Sequence, residues 1–281
     1  ITYQAGLEKQ AMGIPLASYS TAMLSSLRVG LSVQRPIIYT DMTETVGYNE
    51  LPNGQNVIVA ILAYKGYGPE DGYILNKDSV DRGMFMWLSQ KTSASSAYGS
   101  SKQIAPPAKD VPDYLTPTGV IANRTLLKGG EVLINERKLQ PVRGSEDVMA
   151  WRDIPIKMAK PDGAKEDEIL GMVDAVYTDS AVKPVKNAKV QTSSLKHPKI
   201  GDKFSSRHAQ KCSATLIIPS IDLPFDPRTG RAPYVIINPH SFPSRISIAQ
   251  TIESITGKAA ADKGEFYNAS AFRKPFMDEI K

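Results

Sequence analysis

Eight consecutive apolar residues, Val57-Ile-Val-Ala-Ile-Leu-Ala-Tyr64, set the first limit on this chain. The run is far too short for a membrane helix, which takes about 20 residues. It is rich in β-branched residues and bounded by turn sequences, Leu51-Pro-Asn-Gly-Gln-Asn56 before it and Gly66-Tyr-Gly-Pro-Glu-Asp-Gly72 after it. It therefore reads as a strand. Continuous rather than alternating hydrophobicity predicts burial on both faces, as in a barrel or a central sheet. Tyr73-Ile-Leu-Asn-Lys77 resumes as a strand, and Asp78-Ser-Val-Asp-Arg82 reads as a capped helical turn. Between the strands, Glu70 and Asp71 stand side by side in a turn too tight for both to point inward. Acids in a turn are usually solvated, but loops mounted on rigid strands carry chemistry, here a metal or phosphate role.

The 20 glycines and 20 prolines favour turns and short strands over a long helical bundle. With 281 residues, 41% of them hydrophobic, the chain can bury the core of one large or two ordinary domains. A formal net charge of +5 favours an anionic partner. The single cysteine, Cys212, excludes an internal disulfide framework and a Cys-based zinc cluster, and points to a reducing, intracellular setting. No phosphate loop of the G-x-x-x-x-G-K-[ST] type, no H-E-x-x-H and no G-x-S-x-G is present. His197, His208 and His240 have no Cys or acidic companions at ligand spacing.

The densest chemistry lies in His197 to Lys211, HPKIGDKFSSRHAQK, which with Lys196 places five cations around one acid, Asp202. Cations presented together ahead of an apolar strand, Ser213 to Pro219, suit a polyphosphate or a nucleic-acid backbone. The plain alternative is a solvated basic loop. Helical signals run over Thr2 to Gly13 and again over Tyr19 to Leu31, and Val33 to Tyr39 reads as extended. From about Met84 to Lys189, Ser- and Pro-rich segments predict an insertion of short strands and long loops with a modest core, and Lys160 to Glu168 predicts a mobile, solvated loop. Ala232 to Asn238 predicts another buried strand, and Ile246 to Lys258 a helix with apolar Ile246, Ile248, Ile252 and Ile255, stopped near Gly257. Beyond Ala259 the sequence is polar. The chain begins at Ile1 inside a helical pattern and reads as a piece of a longer polypeptide.

Four ordered stretches resemble the second-largest (beta-type) subunit of multisubunit DNA-dependent RNA polymerases. They are T-Y-Q-A-x-x-x-K-Q-A-M-G at Thr2 to Gly13, L-P-x-G-Q-N to D-R-G at Leu51 to Gly83, G-D-K-F-S-S-R-H-x-Q-K at Gly201 to Lys211, and I-I-N-P-H-x-x-P-S-R to G-K at Ile236 to Lys258. Leu127 to Ile134 is similar to the family segment entering its wall, or flap. Histidine in N-P-H points to the archaeal, eukaryotic or large-DNA-virus branch. The family usually has H-G-Q-K-G where this chain has His208-Ala-Gln-Lys-Cys212, so a backbone needing φ > 0 at either replaced glycine would be strained here. The resemblance covers Thr2 to Lys258 and is weakest across Ser93 to Lys189.

The resemblance implies a mixed, mainly β fold with flanking helices, in which Leu51 to Arg82 and Ile200 to Arg245 build a double-psi β-barrel core. By position, 1–83 and 190–281 are two parts of a hybrid-binding region, and 84–189 is the wall/flap-like insertion. It implies that Lys203 and Lys211 contact the RNA 3′ end, that Arg245 contacts the incoming triphosphate, and that Lys9, Gln10 and Arg207 face nucleic acid. Asp71, with Glu70 beside it, would act on the second, nucleotide-borne Mg²⁺ through water. The primary Mg²⁺ belongs to aspartates of the largest subunit, in a motif absent here. This chain would thus work only in a complex with the largest subunit and other subunits, on template DNA, nascent RNA and nucleoside triphosphates, away from membranes, in cytoplasm, nucleus or a viral particle or factory. The rival reading is a non-catalytic nucleic-acid-binding or structural module on a degenerate barrel.

Overall fold

The computed structural model describes residues 26–69, 71–142, 145–160, 165, 167–179, 185–208 and 210–271. In chain order the elements are β1 (Ser26–Gly30), β2 (Ile38–Tyr39), α1 (Asp41–Thr45), β3 (Val59–Ile61), β4 (Gly72–Asn76), α2 (Lys77–Asp81), β5 (Trp87–Ser96), β6 (Lys102–Ile104), β7 (Leu126–Lys128), β8 (Val132–Val142), β9 (Ser145–Lys157), β10 (Ile169–Thr178), β11 (Asn187–Lys196), β12 (Lys203–Ser205), β13 (Lys211–Ile218), β14 (Val235–Ile237), α3 (Ser241–Arg245), α4 (Ile248–Lys263) and β15 (Tyr267–Asn268). The molecule is mainly β. Its described residues divide into two compact units, one from 30–86 and 197–271, the other from 26–29 and 87–196. The second unit runs on to Lys196 because β11 pairs with β5 through its last residue, Lys196 opposite Trp87.

The first unit is built on a five-stranded mixed sheet of order β12-β13-β4-β14-β3. β13 runs parallel to β4, and β14 antiparallel to it. The strand buried on both faces is β4, not the Val57–Tyr64 run. Tyr73 and Leu75 pack with Cys212, Ala214, Val235 and Ile237 on one side, and Ile74 packs with Ile236 and Leu223 on the other. The run itself supplies only the edge strand β3, with Ile58 and Ile61 exposed. An edge position, paired only with β14, leaves it half covered despite its composition. Asn76 closes β4 and caps α2, its side chain accepting from the backbone N–H groups of Asp78 and Ser79. One asparagine therefore ends a strand and starts the helical turn, which begins at Lys77, one residue before the predicted Asp78.

Three expectations for this part of the chain change. Ser26–Gly30, inside the predicted Tyr19–Leu31 helix, is a strand beside β5, since pairing overrides weak helix propensity. The last long helix passes through Gly257 and ends at Gly264, which takes φ +75°. Before it, Ile246 sits in the left-handed region at φ 54° and breaks α3 from α4. The isoleucines face outward, while Gln250, Thr256 and Ala260 are the buried side of α4. The polar tail is also structured in part: β15 pairs in parallel with β2, Tyr267 opposite Ile38.

The second unit holds a five-stranded sheet, β1-β5-β11-β10-β7, and a three-stranded one, β6-β8-β9. Several of its strands are longer than predicted, ten residues in β5 and thirteen in β9, while β6 and β7 have the short length expected. The Ser-rich stretch pairs with β11 in unbroken register from Trp87–Lys196 to Ser96–Asn187. Several of its polar side chains find partners in the fold. Ser95 Oγ donates to Glu136 at 2.6 Å, and Gln90 and Ser193 both donate to Asp174. Polar composition alone hid a regularly paired strand. The core is substantial, with Ile121, Leu127, Ile134, Val173 and Val190 fully buried. Most of the predicted Lys160–Glu168 loop lies outside the described residues, though Asp167 pairs with Lys128 at 2.9 Å. Among the described residues no helix is long and apolar enough to cross a membrane.

Candidate nucleic-acid interface

The candidate residues gather where β4 and β13 begin. The two strands are parallel with Gly72 opposite Ser213, so their first residues lie at the same end of the sheet. Ser213 N–H donates to the Asp71 carbonyl at 2.9 Å, which ties the acidic turn to the basic segment. Gly72 is required at this crossing. A Cβ there would sit 2.8 Å from Gly68 Cα and 2.8 Å from Thr215 Cγ2.

Register fixes the two lysines. β12 and β13 pair with Lys203 opposite Ser213, Phe204 opposite Cys212 and Ser205 opposite Lys211. Directly opposed residues share a face, and alternate residues along a strand return to it. Lys203 and Lys211 therefore leave from one face, while Phe204 and Cys212 turn into the core on the other. Arg245, at the end of α3, donates a hydrogen bond to the Asp71 carboxylate and forms an ion pair with it. Cys212 and Tyr73 pack together in the buried cluster beneath this end of the sheet. Burial pushes the Cys212 thiol up, and burial beside that thiol pushes the Tyr73 phenol far above its ordinary value. Both groups keep their protons at neutral pH. The lysine pair and the Asp71–Arg245 pair thus flank the start of β13.

The loop from Ser206 to Gln210 is clamped to α4. Glu253 accepts from both Arg207 Nη2 and His208 Nε2, and Gln210 donates to the Ser247 hydroxyl. Arg207 Nη1 also donates to the Ile38 carbonyl at 2.7 Å. Burial raises the Glu253 carboxyl, but the His208 hydrogen bond and the Arg207 charge outweigh it and hold the group below the usual carboxylate range. Arg207, read from the sequence as facing nucleic acid, is engaged inside the protein through both terminal nitrogens. Asp202 orients its loop. Its carboxylate accepts from Lys199 N–H at 2.8 Å, and its carbonyl accepts from Ala214 N–H at 2.8 Å. Asn238 reaches back to the Gly68 carbonyl at 3.0 Å, and its own oxygen accepts from the His240 backbone and ring. That bond links the N-P-H segment to the turn before Asp71.

Lys9, Gln10, Glu70 and Ala209 lie outside the described residues. Cys212 sits in strand β13 and is not among the residues with positive φ, so the conformational freedom of a glycine is not needed there. Among the described residues no group of three or more His, Cys, Asp or Glu side chains could hold a metal. Asp71 offers one carboxylate, beside a guanidinium and largely exposed. Such a donor suits water-mediated contact with an ion that arrives on a substrate. Sequence reasoning missed Glu253, which had one signal, the Ile-Glu of the fourth motif.

The sequence model of the family described as RNA polymerase Rpb2, domain 6, matches residues 1–281. The chain belongs to that Rpb2 domain 6 family. The DNA-directed RNA polymerase subunit Rpo2 of Saccharolobus shibatae is 33% identical over 299 residues, covering 100% of this chain and 26% of that protein. The DNA-directed RNA polymerase II subunit RPB2 of Encephalitozoon cuniculi is 33% identical over 292 residues, 99% of this chain and 25% of that one. DNA-directed RNA polymerase II subunit 2 of Arabidopsis thaliana is 34% identical over 295 residues, 99% and 24%. These archaeal and eukaryotic relatives fall in the branch that the N-P-H histidine implies. This Rpb2 domain 6 chain spans roughly a quarter of the length of each of them.

Proposed function

We propose that this chain forms one half of the active centre of a DNA-dependent RNA polymerase, completed by the largest subunit. Lys203 and Lys211 hold the RNA 3′ end of the RNA–DNA hybrid, and Arg245 holds the triphosphate of the incoming nucleotide. Nucleotidyl transfer develops negative charge on phosphoryl oxygens and on the leaving pyrophosphate, so fixed cations on rigid elements lower its barrier. Arg suits the triphosphate because its planar fork pairs with two oxygens and never loses its charge. Asp71, beside Arg245, would serve as the carboxylate that contacts through water an Mg²⁺ arriving on the nucleotide. The primary Mg²⁺ belongs to the largest subunit. The core is a double-psi barrel to which the sheet β12-β13-β4-β14-β3 contributes, and 87–196 is the wall-like unit. The polymerase works on template DNA, nascent RNA and nucleoside triphosphates in an intracellular compartment.

One observation carries this reading. Two sequence stretches far apart meet at the start of β13, with Lys203 and Lys211 on one side and the Asp71–Arg245 pair beside it. The test is RNA extension by the assembled polymerase bearing Lys203→Ala or Lys211→Ala. Extension is expected to be lost with subunit assembly intact, and normal elongation by either variant overturns the assignment. The rival reading, a non-catalytic basic module, draws on the internal engagement of Arg207. Such a module would bind an RNA–DNA hybrid alone with a steep salt dependence, whereas half an active centre needs its partner subunit.

A further inference from the structure

We infer that the second unit carries a groove for a single-stranded nucleic acid, in which exposed aromatic rings stack on bases and lysines hold the backbone. The reading is independent of the roles given to Lys203, Lys211 and Arg245. Two open depressions mark the groove, of about 380 and 310 Å³. Trp151, Tyr98 and Lys186 line the first; Tyr177, Asn187 and Lys189 line the second. The Tyr98 hydroxyl donates to the Asn187 side-chain oxygen at 3.2 Å, so the two depressions are neighbours. Tyr177 and Lys189 are directly opposed across β10 and β11 and leave the sheet side by side. Asn187, two residues before Lys189 on β11, shares that face.

A soluble chain usually buries most of each tryptophan. Here Trp151 is 37% exposed, and it stands with Tyr98 at 71% and Tyr177 at 55%. Every base has a π face, and stacking on an aromatic side chain contributes about 1–3 kcal/mol per base whatever the sequence. Lys186 and Lys189 are exposed and share these depressions with the rings, where they meet the phosphates between stacked bases. Lys102 also lines the first depression, but Glu136 lies 3.0 Å from it and answers its charge. Asp179, an acid lining the second depression, has its oxygens taken by the Lys186 backbone N–H at 3.0 Å and the Asn187 amide at 3.2 Å. It reduces the net charge of the groove and leaves the rings open. Tyr98 is exposed yet pinned through its hydroxyl, so little rotamer freedom is left for a stacking base to remove. Open depressions suit a strand laid across the surface, since small-molecule sites enclose most of their ligand. An acidic peptide would use the lysines and leave the rings without a role.

The experiment is titration of a fluorescently labelled single-stranded oligouridylate with the full chain, read by anisotropy. Trp151→Ala, Tyr98→Ala and Tyr177→Ala are each expected to weaken binding about five- to hundredfold, the loss of one stacked base. Trp151→Phe keeps a ring and restores most of the affinity, which separates stacking from folding. Lys186→Gln and Lys189→Gln should each lower the slope of log affinity against log salt by about 0.7. These effects persist in a Lys203→Ala, Lys211→Ala background, so the groove stands or falls apart from the proposed active centre. A duplex RNA of the same length binds more weakly, because its bases are already stacked on one another. An oligothymidylate run in parallel shows whether the strand is RNA or DNA. The inference fails if all three ring variants bind the oligouridylate as tightly as the parent. It fails equally if the duplex binds as well as the single strand, since the contact is then one of charge alone. Polyglutamate binding that the ring variants leave unchanged, with no binding of the oligouridylate, would assign the lysines to an acidic peptide instead.

Discussion

Asp71 and Arg245 are 174 positions apart in the chain and form an ion pair at the end of the sheet. Neither partner belongs to the buried core, and Asp71 is largely exposed. A pair in that setting contributes about 1 kcal/mol or less to folding, because water screens it. Its value lies in bringing the acidic turn before β4 and the last residue of α3 to one place. Asp71→Asn is therefore expected to shift the thermal midpoint of the chain by no more than about 4 °C. RNA extension by the assembled enzyme should fall at least about tenfold, in line with removing one interaction made in the transition state. Melting and extension assays on the same preparation check the split.

Lys203 and Lys211 share a face of the sheet, and the proposed function sets the RNA backbone against it. Each alanine substitution is expected to weaken RNA–DNA hybrid binding by the complex without changing sequence preference. Each should also lower the slope of log affinity against log salt by about one. A titration across salt concentrations reads both quantities, and an unchanged slope in both variants would remove the phosphate contact.

Glu253 holds Arg207 and His208 together, and its removal leaves a half-buried guanidinium with only the Ile38 carbonyl. Glu253→Ala is expected to cost about 1–3 kcal/mol, the penalty for unpairing partly buried charged hydrogen bonds. Urea unfolding at neutral pH measures it. Glu253→Gln should recover part of that loss, since one acceptor remains.

The same carboxylate gives the fold an acid limit. Its folded value lies below the ordinary 4.5. Its contribution is therefore complete above 4.5 and is lost as pH falls through the lower folded value. The unfolding free energy should thus drop in this window for the parent chain, with a shallower drop in Glu253→Gln. Equal slopes would show that Glu253 does not carry the effect.

Gly119 lies in the second unit at φ +83°, where a Cβ would meet the Ala105 carbonyl carbon at 2.2 Å. Gly119→Ala is expected to destabilise by more than about 2 kcal/mol, because backbone strain and overlap act together. The unfolding midpoint of the variant tests this directly.

How much of this was legible beforehand varies with the residue. The strand at Tyr73 and the capped helical turn after it follow from local spelling, and the structure contains both, one residue earlier than the spelling suggests. The first part of the Ser-rich stretch, Ser93 to Ser96, misled, because hydroxyl composition looks the same in a loop and in a strand where Ser95 donates to Glu136, while 97–101 is loop. Ile248, Ile252 and Ile255 promised a buried helix face that the fold turns outward, since Gln250 and Glu253 are recruited to hold the loop before Lys211.

By itself the sequence determined the mainly β character, the family, and which charged residues are candidates for chemistry. Those properties are written in short-range patterns of apolar residues, turn formers and motif wording. Tertiary structure alone decided that Asp71 meets Arg245, that Cys212 packs with Tyr73 in the core, and that Arg207 is taken up by Glu253. Each of those pairings joins residues distant in the chain. It depends on which strands become neighbours and in what register, and a one-residue slip would send every side chain to the opposite face.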